Sequence, residues 1–288
     1  MKHVIVDNIK ILYNDAGKPS VNLFADACRK SIPVIYETWG LKTPAKCKIY
    51  IMTSWLIFLW YGYSWPKKFC AAVLLLVSSL VLSLVFYRVF PLGLLIAPLI
   101  FYLIIIKLWF KIAGLTIPNH TTCGIKSPDL VDPAGGKLGR RIRIEYANSD
   151  SLVQSAICHE LTHAFSIHLN LPVWLNEGIA MYAVDKFTGK ATVKTETLEF
   201  IENYPHKKQS TSYSNLMSRN EDSIVYTYAR AYWLTRYLEL NYPGFIRGLL
   251  VKRQSKRKIE QQLSLKTGIP VKDFWNQIDN KIVAQFTT

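Results

Sequence analysis

His159-Glu160-Leu161-Thr162-His163 and, fourteen residues past its second histidine, Glu177 in Trp174-Leu175-Asn176-Glu177-Gly178 decide how this chain of 288 residues is read. Residues four apart on a helix share a face, so His159 and His163 can offer imidazole nitrogens to a single ion while Glu160 points toward its bound water. Glu177 would complete the protein ligands. Two histidines and a carboxylate around an open position form the donor set of a hydrolytic zinc site, which makes Zn2+ the expected cofactor.

The surroundings of the first stretch are helical in pattern. Ser149-Asp150-Ser151 precedes apolar residues at Leu152, Val153, Ala156, Ile157, Leu161, Ala164 and Phe165. Ser151 with Gln154 has capping-box spacing, and Asn170-Leu171-Pro172 supplies a stop. Two other readings stand beside this one. The histidines could be polar residues on a partly buried helix, with Glu160 on its solvent face. Alternatively the ion could be structural, but such sites are usually closed by four cysteine or histidine ligands, and no cysteine pair here has the spacing. A longer zinc pattern with glycine at 166 and histidine at 169 is not met, because Ser166 and Leu169 stand there. His168 is one position off and reads as an outer-sphere or surface residue.

His159 to Phe165, followed by Leu171-Pro172-Val173-Trp174-Leu175-Asn176-Glu177-Gly178-Ile179-Ala180-Met181-Tyr182, resembles the peptidase MA-like family of gluzincins. The likeness continues in Val225-Tyr226-Thr227-Tyr228-Ala229-Arg230-Ala231-Tyr232-Trp233-Leu234, which is similar to the family's helix after the site. Residues 1–54 and 107–288 can be laid on the family pattern; residues 55–106 cannot. The resemblance implies an α+β, zincin-like metallopeptidase domain that hydrolyses peptide bonds. His159, His163 and Glu177 would be its metal ligands, and Glu160 the base that takes the attacking water's proton and passes it to the leaving amine. A tyrosine on the later helix would steady the oxyanion, Tyr228 first and Tyr226 next. Asp185 or Asn176 could orient the histidines. Thermolysin-like members carry an acid one turn after the ligand glutamate, where this chain has Met181. A catalytically silent adaptor that keeps the fold for binding a partner is the competing reading, and retention of Glu160 speaks against it.

The stretch that escapes the family pattern is apolar. Phe69 to Tyr87 and Val89 to Ile106 are uncharged runs of nineteen and eighteen residues separated by Arg88. Each is about long enough to cross a hydrocarbon core of roughly 30 Å. They predict a transmembrane hairpin turning near Arg88 and Pro91, preceded by an interfacial aromatic segment with Trp55, Trp60, Tyr61, Tyr63 and Trp65. Lys46, Lys48, Lys67, Lys68, Lys107 and Lys111 flank the open ends, which predicts a multi-pass protein of two spans with its catalytic part at the cytoplasmic face. The first residues, Met1 to Asp7, lack the apolar core of a signal peptide. Cys28, Cys47, Cys70, Cys123 and Cys158 show no paired framework and read as reduced. Cys158, beside the motif, reads as a small packing residue.

Thirty-five lysines and arginines against twenty acids give a formal charge of +15. Five of these cations fall within Lys252-Arg253-Gln254-Ser255-Lys256-Arg257-Lys258, and Lys207-Lys208 adds two. For an anchored chain the expected partners are the lipid bilayer, with contact to anionic headgroups, and a peptide or protein substrate. No nucleic-acid motif accompanies the charge, so no nucleic-acid partner is expected. A merely solvated helix face is the plain alternative.

The expected architecture is therefore α+β. Residues 1–54 form the first part of the metallopeptidase domain, 55–110 the interfacial segment and hairpin, and 111–288 the zinc-binding part with a helical C-terminal third. Ile9–Tyr13 and 48–54 read as strands and Val21–Trp39 as a helix. Helices are expected at about 223–240, 243–253, 256–266 and 270–285. Arg141-Ile142-Arg143-Ile144-Glu145-Tyr146 alternates and predicts a strand beside the cleft that pairs with an extended peptide.

Overall fold

A computed structural model describes residues 1–54, 114–116, 121–204 and 221–287. Its first elements alternate with period two, so one face of each strand is apolar. Strand β1 (Lys2–Val6) turns through Asp7, at φ 49°, into β2 (Ile9–Tyr13). After α1 (Val21–Trp39) come β3 (Cys47–Met52), β4 (Gly114–Thr116) and β5 (Thr122–Lys126). The sheet runs in the order β1-β2-β3-β5-β4, parallel between β2, β3 and β5 and antiparallel at both edges. Ile9, Ile11, Ile49, Ile51 and Ile125 are wholly buried, and each contributes about 1.5–3 kcal/mol relative to exposure. Lys48 on the other side of β3 is exposed.

Beyond the sheet the chain is helical: α2 (Lys137–Ile142), α3 (Ser149–Ser166), α4 (Val173–Thr188), α5 (Thr197–Asn203), α6 (Glu221–Asn241), α7 (Phe245–Leu249), α8 (Lys256–Thr267) and α9 (Phe274–Phe286). Helix α3 is buried along nearly all its length, sandwiched by α1, α4, β4 and β5. Trp39 donates its indole N–H to the Ile179 carbonyl at 3.0 Å and so ties α1 to α4. Helix α6 meets α4 where Gly178 leaves room: a Cβ there would stand 2.1 Å from Thr235 Oγ1 and 2.6 Å from the Ala231 carbonyl oxygen. At the far side of α6, buried Asp279 of α9 accepts hydrogen bonds from Arg230 Nε and the Tyr226 hydroxyl, both at 2.7 Å.

Several expectations need correction. Among the described residues no helix is long and apolar enough to cross a membrane. The longest of them fail on polarity: α1 carries Asp26, Arg29, Lys30 and Glu37, and α6 carries Glu221, Asp222, Arg230, Arg236 and Glu239. The fold with an inserted transmembrane hairpin, and the two-span localisation with a cytoplasmic catalytic part, are therefore not carried by this structure. The runs at 69–87 and 89–106 and the aromatic segment before them lie outside the described residues, as does Lys207-Lys208.

Arg141 to Tyr146 is not a strand of the sheet. Helix α2 runs to Ile142, and only an isolated bridge joins Arg143 to Val193. The alternation was uninformative because Ile144 is 42% exposed and anchors no apolar face. The capping-box reading also fails, since α3 starts earlier and Asn148 accepts the Ser151 N–H at 2.8 Å. The expected helix at 243–253 shrinks to α7, whereas α1 and α8 match their predicted spans closely.

Candidate metal centre

The site grows from the two helices that sequence placed in succession. Helix α3 ends at Ser166, one 3-10 turn follows through Leu169, and Asn170 at φ 50° reverses the chain ahead of Pro172. Asn170 is a residue that tolerates this left-handed backbone. The reversal lays α4 back across α3, so Glu177 faces His159 and His163.

Glu177 Oε2 lies 3.4 Å from His159 Nε2, Glu177 Oε1 lies 3.5 Å from His163 Nε2, and the two Nε2 atoms are 3.0 Å apart. All three residues are buried. A tetrahedral ion bonded at about 2.1 Å sets its ligand atoms roughly 3.4 Å apart. The three side chains therefore outline one face of such a coordination shell and could hold a metal ion. Burying a carboxylate and two ring nitrogens otherwise carries a substantial desolvation cost.

The electrostatics follow from that crowding. Burial, with the neighbouring His163 adding to it, lowers the pKa of His159 against the opposing pull of Glu177. Burial also opposes charge on His163, but the Glu177 carboxylate outweighs it and pushes this imidazole up to about 9, with Glu160 and Asn176 adding to the rise. Burial would lift Glu177, yet the two imidazoles hold its carboxyl far below the usual range. The group is arranged to keep an anion and two nitrogens converging on one point.

Around this trio the expected residues divide. Tyr228, on α6, feels both Glu177 and Glu160, and burial with those two carboxylates holds its hydroxyl protonated well above the ordinary phenol value. Tyr226 points away into the Asp279 network and is no part of the site. Asn176 belongs to the site: it lies against His163 and accepts from Ser166 Oγ at 3.2 Å. Asp185 does not, because its carboxylate is taken up by Tyr232 at 2.7 Å and by the Thr192 hydroxyl and N–H. No described residue hydrogen-bonds the Nδ1 of His159 or of His163. His168 is exposed. Cys158 is buried with its thiol pushed up to about 12 by burial, a packing residue as its sequence reading proposed.

No family model, no curated protein and no solved structure matches this chain.

The residues that sequence reasoning missed come from β4. Thr116 donates its hydroxyl to Glu160 Oε2 at 2.5 Å and lies 3.2 Å from the Glu160 carbonyl oxygen. Gly114 presses so closely that a Cβ would come 2.9 Å from Glu160 Cγ. The edge of the sheet at the centre is thus β4, not the segment after Arg141. Three residues give too short a run for an alternation signal. Gly178 had a usable signal, since glycine inside a helix is unfavourable by about 1 kcal/mol and hints at a close packing partner.

Proposed function

We propose that this protein is a zinc-dependent peptidase of the gluzincin type that hydrolyses peptide bonds. The observation that carries the reading is the convergence of His159, His163 and Glu177 at tetrahedral edge lengths, with Glu160 next to His159 on the same helix. Two nitrogens and one carboxylate oxygen, with no cysteine among them, are the donor set of catalytic rather than structural zinc.

His159, His163 and Glu177 would hold the ion. When bound, zinc would supply Lewis-acid polarisation of a carbonyl and acidify water. Glu160 takes the proton of the attacking water and delivers it to the departing amine. Thr116 restrains its carboxylate from the β4 side, which fixes the direction in which the remaining lone pairs point. Tyr228 stays protonated and can donate a hydrogen bond to developing oxyanion charge. Asn176 adds to the rise in the His163 pKa and is itself held by Ser166 Oγ.

The test is to purify the wild type and Glu160→Gln, determine bound zinc by elemental analysis, and profile both against a peptide library. Both proteins should hold stoichiometric zinc while only the wild type cleaves. Absence of zinc from the wild type, or equal cleavage by both, sinks the proposal. Zinc binding without cleavage by either points to a silent adaptor instead.

A further inference from the structure

Nearly half of the surplus positive charge is gathered in one stretch of the chain. From Arg247 to Lys272 eight lysines and arginines stand against one acid, Glu260, a surplus of seven within the total of +15. Glu260 is itself engaged, accepting the Trp275 indole N–H at 3.1 Å. Elsewhere surface cations are matched: Lys2, Arg29, Lys137, Arg140 and Arg141 each hold a carboxylate at 2.5–2.9 Å. Lys252, Arg253, Arg257 and Lys258 are exposed and form no ion pair with any described residue. Two apolar side chains stand among them, Val251 at 79% and Leu265 at 85% exposure, the most exposed large apolar residues among those described.

The fold holds these groups in place. Gln254 Nε2 donates to the Leu249 carbonyl at 3.2 Å, and Ser255 caps α8 by accepting the Lys258 N–H at 3.2 Å, so the turn between α7 and α8 is fixed. Ile259, Leu263 and Thr267 bury one face of α8. Arg257, Lys258, Gln261 and Leu265 are left on the opposite, exposed face, with Leu265 two turns beyond Lys258. Lys256, Arg257 and Lys258 also crowd the first turn of α8, where the helix dipole already places positive charge and no acid offsets it. In isolation that crowding is unfavourable; against a layer of negative charge it becomes favourable. Aliphatic tips among cations fit the headgroup zone of a bilayer, where lysine and arginine meet anionic headgroups and the apolar tips reach the acyl boundary. A nucleic acid would give Val251 and Leu265 nothing to bury, and the neighbouring rings are not free to stack on bases: Lys266 covers Tyr242 at 5.4 Å and Trp275 is half-buried. We propose that residues 251–265 dock peripherally on an anionic phospholipid bilayer, with Val251 and Leu265 entering its interface. Such contact needs no membrane-crossing helix, and none of these residues belongs to the metal centre.

The experiment titrates full-length protein with vesicles and reads the docking segment itself. Cys28, Cys47, Cys123 and Cys158 are buried, so in a Cys70→Ser background a polarity-sensitive fluorophore on Val251→Cys reports that position alone. Phosphatidylcholine vesicles containing phosphatidylserine should shift its emission to the blue, pure phosphatidylcholine should not, and added salt should reverse the shift as the charges are screened. A lysine or arginine near an anionic leaflet tightens binding about five-fold, so replacing Lys252, Arg253, Arg257 and Lys258 together by glutamine should weaken it more than about a hundred-fold. Leu265→Ser should weaken it several-fold. All five side chains are exposed, so Tm should not move; were the charge variant to melt early, the salt titration of the unsubstituted segment decides in its place. An equal shift on both kinds of vesicle, no shift on either, salt-insensitive binding, or unchanged affinity in the charge variant or in Leu265→Ser overturns the proposal. Binding of duplex DNA or single-stranded RNA through the same four cations, with no vesicle-induced shift, identifies a nucleic-acid surface instead.

Discussion

Gly178→Ala should disturb the group formed by His159, His163 and Glu177 without touching any of the three. The added methyl would lie 2.6 Å from the Ala231 carbonyl oxygen and 2.1 Å from Thr235 Oγ1. The hydroxyl can rotate away, but the carbonyl belongs to the backbone of α6. Reaching ordinary van der Waals contact near 3.4 Å requires α4 and α6 to part by about 0.8 Å. Overpacking of this kind costs about 1–3 kcal/mol, against which alanine's better helix propensity returns up to about 1 kcal/mol. For a chain of this size each kcal/mol moves Tm by about 2–4 °C, so a net cost of about 1–2 kcal/mol lowers Tm by about 2–8 °C. Glu177 precedes the methyl on α4 and Tyr228 sits on α6, so the centre is pried open along that seam. A misplacement near 1 Å can cost roughly 100-fold in rate. Differential scanning fluorimetry, a zinc titration and peptide cleavage read the three effects. Gly248→Ala is the control, since a Cβ there meets nothing within 4 Å. A Gly178→Ala protein with wild-type Tm and wild-type zinc affinity would refute the packing argument.

Zinc should displace a proton from His163, which burial alone would hold neutral but Glu177 pushes up to about 9. Calorimetry at pH 7.5 in buffers of different ionisation enthalpy should show close to one proton released per ion, and no release would contradict the assignment. In the zinc-free protein the raised imidazole stabilises fully below its ordinary value of 6.5, and that contribution is lost as pH climbs through about 9. The depressed Glu177 carboxyl works the other way, stabilising above 4.5 and losing its effect as pH falls. Chelator-treated protein should therefore melt highest at mildly acidic pH; a Tm that rises from pH 6.5 to 9 would contradict this. Asp279→Ala strands the buried Arg230 cation, and urea unfolding should show a loss of about 3–5 kcal/mol, with under 1 kcal/mol counting against a buried ion pair. Thr116→Val should lower kcat about ten-fold with bound zinc unchanged, and Thr116→Ser should restore it, because the hydroxyl bonded to Glu160 is what differs. Equal activity of the valine and serine variants would dismiss Thr116 as a positioning residue.

Sequence alone singled out the three residues that could hold a metal ion, because helical spacing and a reversal at Asn170 are local properties. His159, Glu160 and His163 needed only a helix to share a face, and Glu177 only a second helix turned back by a short loop. The same locality explains why α1 and α8 were legible nearly to the residue, while the alternation at 141–146 misled: periodicity cannot tell which face other elements cover. Tertiary structure decided everything that depends on contact between distant segments. It set β4 against Glu160 across forty-four residues, and turned Tyr228 toward the carboxylates and Tyr226 toward Asp279. Two tyrosines two residues apart on one helix point in different directions, and only the partners packed on each side fix which one faces Glu177 and Glu160.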